Sequence, residues 1–431
     1  MGHLTGKDIY RKVGSKIDNL NTRAPWNNSL QEIVKELYSE EEATLLVQMP
    51  YSLSTANRIA KIINYELKKT LGILENMADK GLVIDLYHSH QYYYMPSPVM
   101  IGIFEFTMMR TDHHRIKHRA ELFNSYLSNS DDYYRANFSK NHKVSIARAL
   151  PHTGTVTPED NVEILSYEKA EAIVSSHDKF AIGSCACRHE KLHANQKNCD
   201  TPLETCSSFG YAADYLIRHG LGREVSRDEM SANLERCKNL GLVFSADNVQ
   251  RNVSFICCCC SCCCNLLQGI NKYGYPNTVV TSTFIASVDK NKCTGCGKCA
   301  KKCPINAIAM IKEGPNPLAE INKEICLGCG VCSLKCPNAS LKLKKRQQQV
   351  IHPETIFERI ILSSLERNSL QNLIFDNPQS VTHKVMRGFI GGFLGLPPVK
   401  KTLMSNLFRS RFLSLLATGT GLQGNKFLTK L

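Results

Sequence analysis

Eight cysteines between residues 293 and 336 fall into two runs of identical spacing, which constrains this chain more than any other feature. The first run is Cys293-x2-Cys296-x2-Cys299-x3-Cys303-Pro304. The second, Cys326-x2-Cys329-x2-Cys332-x3-Cys336-Pro337, begins 33 residues later. A loop with two residues between successive thiolates can curl round one inorganic core and supply three of the four ligands of a [4Fe–4S] cubane. Pro304 and Pro337 end each loop by fixing φ and removing a donor. Gly295, Gly297, Gly328 and Gly330 let the backbone bend close to sulfur. Zinc sites also use paired C-x2-C, but they match two tandem four-cysteine runs ending in proline less well. A disulfide framework is a poorer match still, because a chain of 431 residues is long enough to need no staples.

Over 285–346 these runs resemble the bacterial 2[4Fe–4S] ferredoxin family. The resemblance implies a pseudo-twofold fold with the fourth cysteine of each run at the start of a short helix. It also implies crossed ligation. One cluster would take Cys293, Cys296, Cys299 and Cys336, and the other Cys326, Cys329, Cys332 and Cys303. Each run is followed by a small apolar stretch, Ala307–Met310 and Ser340–Leu343. Iron-ligating free thiols imply a reducing cytoplasm and an anaerobic host. The N-terminus, Met1–Asp8, carries no apolar signal segment.

The other twelve cysteines all lie between 185 and 264. Cys237 stands alone in a helical stretch and reads as a small apolar packing residue. Cys185, Cys187, Cys199 and Cys206 make a set of four, expected to hold a third [4Fe–4S] cluster, with Arg188 either hydrogen-bonding a sulfide or making an ordinary surface salt bridge. His189 and His193 keep a mixed Cys/His zinc site open as an alternative. Phe255-Ile256 reads as a strand end leading into Cys257–Cys264, where seven of eight positions are cysteine. Adjacent side chains cannot all face one core, so two faces of this run could serve two clusters. Cys257, Cys259, Cys260, Cys262, Cys263 and Cys264 are the candidate ligands. Which four bind, and whether they share a cluster with the 185–206 set, stays open. The region is similar to multi-cluster iron–sulfur proteins of anaerobic bacteria and archaea that combine a C-x-C-R motif, a cysteine-dense run and a C-terminal ferredoxin module. That resemblance brings no assigned reaction.

The expected fold is α+β and multidomain. Residues 1–135 form a winged-helix-like domain, 136–283 a cysteine-rich domain, 284–346 the ferredoxin domain and 347–431 a basic, amphipathic helical extension. The first assignment rests on 29–95. Helical spacing at Leu30, Ile33, Val34 and Leu37 precedes a Ser39–Glu42 capping box and a helix over 54–63. A further helix capped by Asn64 buries Leu67, Leu71, Leu74 and Met77 and stops at Gly81. Residues 82–86 then pair with 92–95. This order resembles a winged helix-turn-helix. Its recognition helix mixes Lys68, Lys69 and Lys80 with Glu66, Glu75 and Asp79, too neutral to favour DNA. His113, His114 and His118 sit on a basic stretch, where a solvated helix face is favoured over metal binding. Ser226 and Glu229 read as a second capping box.

The net charge of +14 is uneven, with no Asp or Glu after Asp376 but eight Lys and Arg. Interleaved Phe and Leu make 377–431 a candidate surface for an anionic membrane interface or an acidic partner protein, with nucleic acid third and a simply packed C-terminal helix pair as the alternative. No charge-free apolar run reaches transmembrane length, and no Rossmann or P-loop motif supports nucleotide binding. These features point to an iron–sulfur electron-transfer protein with redox partner proteins, cytoplasmic and with scope for peripheral membrane association. A substrate-reducing cluster within 185–264 and a redox-sensing winged-helix regulator are the alternatives.

Overall fold

The computed structural model describes residues 2–111, 114–139, 142–156, 164–312, 316–347, 350 and 352–418. His113, Lys426 and Lys430 lie outside the described residues. The chain divides into two compact units, one of Met1–Asn137 with Thr355–Leu431 and one of Phe138–Glu354.

In the first unit, helices Asn28–Leu37 and Glu40–Gln48 lead into a two-residue strand, Ser54–Thr55. Helices Ala56–Ile63 and Leu67–Asp79 follow, then the hairpin Val83–His88 and Gln91–Pro96. The three strands form one antiparallel sheet with Gln91–Pro96 in the middle. The capping box at Ser39 is complete, with the Glu42 carboxylate accepting from the Ser39 N–H. Asn64 does not open the next helix. It closes the preceding one in the left-handed conformation, φ 56°, which asparagine tolerates better than most residues. The buried stripe of Leu67–Asp79 is Thr70, Ile73, Leu74, Met77 and Ala78. It is rotated from the expected one, and Leu67 is left 41% exposed.

The C-terminal helices of this unit surround Phe357, Ile361, Leu365, Leu370 and Leu394, with Ile390, Leu403, Phe412, Leu413 and Leu416 packed alongside. Asp376 is buried and accepts both guanidinium nitrogens of Arg58 at 2.8 Å. Some of the basic residues after it are engaged internally. Arg387 donates to the Phe375 carbonyl at 2.9 Å, Lys400 to that of Glu366 at 3.1 Å, and Arg409 pairs with Glu358 at 3.3 Å. Among the described residues no helix is long and apolar enough to cross a membrane.

The second unit is built on a seven-stranded sheet. Its order is Val279–Val280, Ala147–Leu150, Val243–Asp247, Phe255–Cys259, Glu204–Phe209, Phe180–Ser184 and Gly222–Glu224. All neighbours run antiparallel except the first pair. The central strand does not end at Ile256 but continues to Cys259. Helix Arg227–Asn239 covers one face, its Asn233 amide donating to Ser207 Oγ at 3.0 Å. At Ser226 half of the expected box is present, the hydroxyl accepting from the Glu229 N–H. The unit also contains two small antiparallel pairs, Phe284–Val288 with Leu341–Lys345 and Ile308–Lys312 with Pro317–Ile321.

Candidate metal centres

The two tandem runs fold into near-equivalent loops. Each contains a short helix, Lys298–Lys302 and Val331–Leu334. The fourth cysteine follows this helix instead of starting it, and Cys303 is the C-terminal cap. The proline after it then stops any continuation of the helix. Gly295 and Gly328 show why this loop needs glycine. Their φ values are +71° and +68°, and a Cβ would stand 2.3 Å from the Pro317 carbonyl oxygen or 2.1 Å from that of Phe284.

The loops line two small, partly open cavities, each of ≈ 20 Å³. Cys293, Cys296, Cys299 and Cys336 line one; Cys326, Cys329, Cys332 and Cys303 line the other. Three thiols of one run and the fourth of its partner, round a cavity walled by Met310 and Leu341 or by Ile305, Ile308 and Leu343, suit a cubane. Backbone and side-chain donors reach the sulfurs: Ala307 N–H lies 3.2 Å from Cys303 Sγ, and Ser340 Oγ lies 3.1 Å from Cys336 Sγ. The sites differ in exposure. Cys326, Cys329 and Cys332 are all buried, whereas Cys296 is exposed. Burial pushes the Cys329 thiol up to about 12.

The other cysteines are sorted by the geometry of the sheet. Alternation along Phe255–Cys259 sends Cys257 and Cys259 to one face and Cys258 to the other. There Cys258 meets Cys237, fully buried on helix Arg227–Asn239, as expected for a packing residue. On the opposite face Cys257 contacts Cys206 of the adjacent strand, and Cys264 contacts both Cys187 and Cys259. Cys185 neighbours Cys187 and Cys206. Six thiols therefore gather here: Cys185, Cys187, Cys206, Cys257, Cys259 and Cys264. Cys185 and Cys264 are the N-terminal caps of helices Ala186–His193 and Asn265–Asn271. The two helices are tied by the Asn265 amide donating to Glu190 at 3.0 Å.

The expected quartet of Cys185, Cys187, Cys199 and Cys206 is not one group. Cys199 sits on the loop after helix Ala186–His193, and its sulfur lies with those of Cys260, Cys262 and Cys263. These three are presented by the turn after strand Phe255–Cys259, closed by Cys264 N–H donating to the Cys260 carbonyl at 3.2 Å. The sequence left open that the 257–264 run shares ligands with the 185–206 set, but nothing in the spacing marks Cys199 as the one that belongs with residues 61 to 64 positions away. His189 and His193 face each other, Nε2 to Nε2 at 2.9 Å, and neither belongs to the four-sulfur group.

Arg188 is fully buried between the two sets. It donates to the Cys258 carbonyl at 2.9 Å and to Thr205 Oγ1, and its Nη1 stands 3.8 Å from Cys260 Sγ. The Cys260 thiol is held down to about 4, first by the Cys263 thiol donating to it and then by the charge of Arg188, against the opposing effect of burial. Burial pushes Cys185 the other way, up to about 12. The arrangement sets the Cys260 thiol beside a buried cation.

The family model of the 4Fe-4S dicluster domain matches residues 286–343. The comparisons with curated proteins and with solved structures find no match to this chain. The dicluster domain and the clustered cysteines support [4Fe–4S] cofactors, and the 20 cysteines leave room for more than two clusters.

Proposed function

We propose that this protein relays low-potential electrons between a ferredoxin-type cluster pair and a further cluster held by the cysteine-rich sheet. The observation that carries the reading is the pair of adjoining four-cysteine cavities, each completed by the other run's last cysteine. When bound, [4Fe–4S] clusters supply reversible one-electron transfer. The chain's part is to bury one site, leave the other near solvent at Cys296, and aim N–H and O–H donors at sulfur. The exposed site is where a redox partner protein would dock. The six-thiol set is the candidate next station. Iron and acid-labile sulfide in the anaerobically reconstituted full chain test this. More than about eight iron per chain, two cubanes' worth, is expected; a count stopping at about eight would remove the third station.

The hairpin and helices of 28–96 support a winged-helix reading as a scaffold rather than a DNA reader. Two lysines of the would-be recognition helix are engaged, Lys69 with Glu41 and Lys80 with buried Glu42, both at 2.8 Å.

A second reading concerns the C-terminal helices. Val381, Val385, Phe389 and Phe393 recur every four residues on helix Val381–Gly395 and are 77%, 65%, 75% and 54% exposed. Lys384, Lys401 and Arg411 are exposed nearby in sequence. An apolar stripe among cations fits an anionic membrane interface. Sedimentation with phosphatidylserine-containing vesicles, but not with neutral ones, is expected to carry the protein down. Loss of that difference in Phe389→Ser/Phe393→Ser would support the stripe; equal binding to both vesicle types would sink it.

A further inference from the structure

We propose that Cys199, Cys260, Cys262 and Cys263 form a closed mononuclear zinc site, chemically distinct from the cubane sites. Their four sulfurs all lie within 4.8 Å of one another. The Cys262–Cys263 separation is 3.3 Å, Cys262–Cys260 is 3.8 Å, and Cys199 stands 3.9 Å from both Cys260 and Cys263. Around one tetrahedral ion with metal–sulfur bonds of about 2.3 Å, every sulfur–sulfur edge is about 3.8 Å. In a cubane each thiolate stands on its own iron, so the four ligand sulfurs must spread farther apart than round one ion. The protein supplies its own control. Among the described residues neither ferredoxin-type quartet brings its sulfurs within the same 4.8 Å.

The ligand chemistry selects the metal. Four thiolates in a tetrahedral set suit zinc or a single iron, and zinc stands above ferrous iron in intrinsic affinity for such a site. With all four positions taken by protein sulfur there is no room for water or substrate, so the site is structural. Four thiolates leave an excess of negative charge on the ion, which the buried Arg188 guanidinium beside Cys260 offsets. The clip joins the loop bearing Cys199 to the turn after strand Phe255–Cys259. It thereby holds the end of the strand that presents Cys257 and Cys259 to the six-thiol set.

The test is metal analysis of the full chain, purified without added metal, beside Cys199→Ser and Cys262→Ser. The expected result is one zinc per chain in the parent and less than a tenth of that in each variant, with the ferredoxin iron retained in all three. Cobalt exchanged into the site should give a thiolate charge-transfer band in the parent alone. Absence of zinc, loss of a cubane's complement of iron with either variant, or a single high-spin ferric iron signal in place of zinc would each overturn the proposal. Zinc X-ray absorption on the parent covers the case in which a variant does not fold. Four sulfur neighbours at roughly 2.3 Å support the site, and nitrogen or oxygen neighbours overturn it.

Discussion

The 4Fe-4S dicluster module at 286–343 and the cysteine-rich sheet gather thiols by opposite devices. In the module, cysteines two residues apart lie on a loop whose glycines take positive φ, and the backbone itself wraps the cavity. In the sheet, cysteines adjacent in sequence are pulled apart. Cys258 goes to one face with Cys237, Cys257 and Cys259 to the other, and Cys260, Cys262 and Cys263 into a turn. Regular spacing keeps sequence neighbours together in space, whereas a strand separates them, because its side chains alternate. The module is therefore one repeated device, and the sheet can hold two different metal environments from one run.

The sharpest way to break the comparison is to cross the runs. Cys303→Ser lies in the first run but should abolish the cluster nested in the second, lowering iron by about four per chain. Cys336→Ser should abolish the other. Electron paramagnetic resonance of the reduced protein checks this. If Cys303→Ser and Cys299→Ser erase the same signal, the loops are not crossed.

Arg188→Met should act on the sheet and spare the module. Removing a buried cation beside thiolates should cost about 3 kcal/mol of unfolding free energy and weaken metal binding in the sheet about 10- to 100-fold. Denaturant titration and competition with a chelator measure these. An unchanged chelator curve would mean that Arg188 only fills space.

Within the module, the site containing exposed Cys296 should bleach in air several-fold faster than the site of buried Cys326, Cys329 and Cys332. Two-phase loss of cluster signal is the readout, and single-phase loss would make the two sites equivalent.

The smallest effect belongs to His152. Its backbone N–H donates to the Cys329 carbonyl at 3.0 Å, while its side-chain Nε2 lies 2.8 Å from the Leu242 oxygen, joining module and sheet. Burial pushes its pKa from 6.5 down to about 4. Because the folded value is the lower one, this stability is full above about pH 6.5 and lost as pH falls through about 4. Thermal melts of the parent over this range should fall more steeply with acid than those of His152→Gln, and equal slopes would place the acid sensitivity elsewhere.

Much of the fold was legible where chemistry is local. The Ser39–Glu42 box, the 83–96 hairpin and the burial of Cys237 follow from residues a few positions apart. The C-terminal stretch was legible only as a mixture. Leu394, Leu403 and Phe412 pack inward while Phe389, Phe393 and Leu407 face out, and the pattern of basic and apolar residues alone does not separate them. Asn64 was misread because asparagine suits both the start of a helix and a left-handed cap at the end of one, and the stripe of Leu67–Asp79 was read rotated from the true one.

The cysteine spacing by itself determined the cubane chemistry of 293–336, since a thiolate loop of that length closes on one core whatever surrounds it. For the 257–264 run it showed only that two faces could serve two clusters. Which cysteines meet was decided only by tertiary structure. Cys199 reaches Cys260 and Cys263 from 61 and 64 residues away, and Cys206 reaches Cys257 from the neighbouring strand. Such pairings come from strand register and the path of a loop, which are set by packing the whole sheet and not by the ligands' own neighbours.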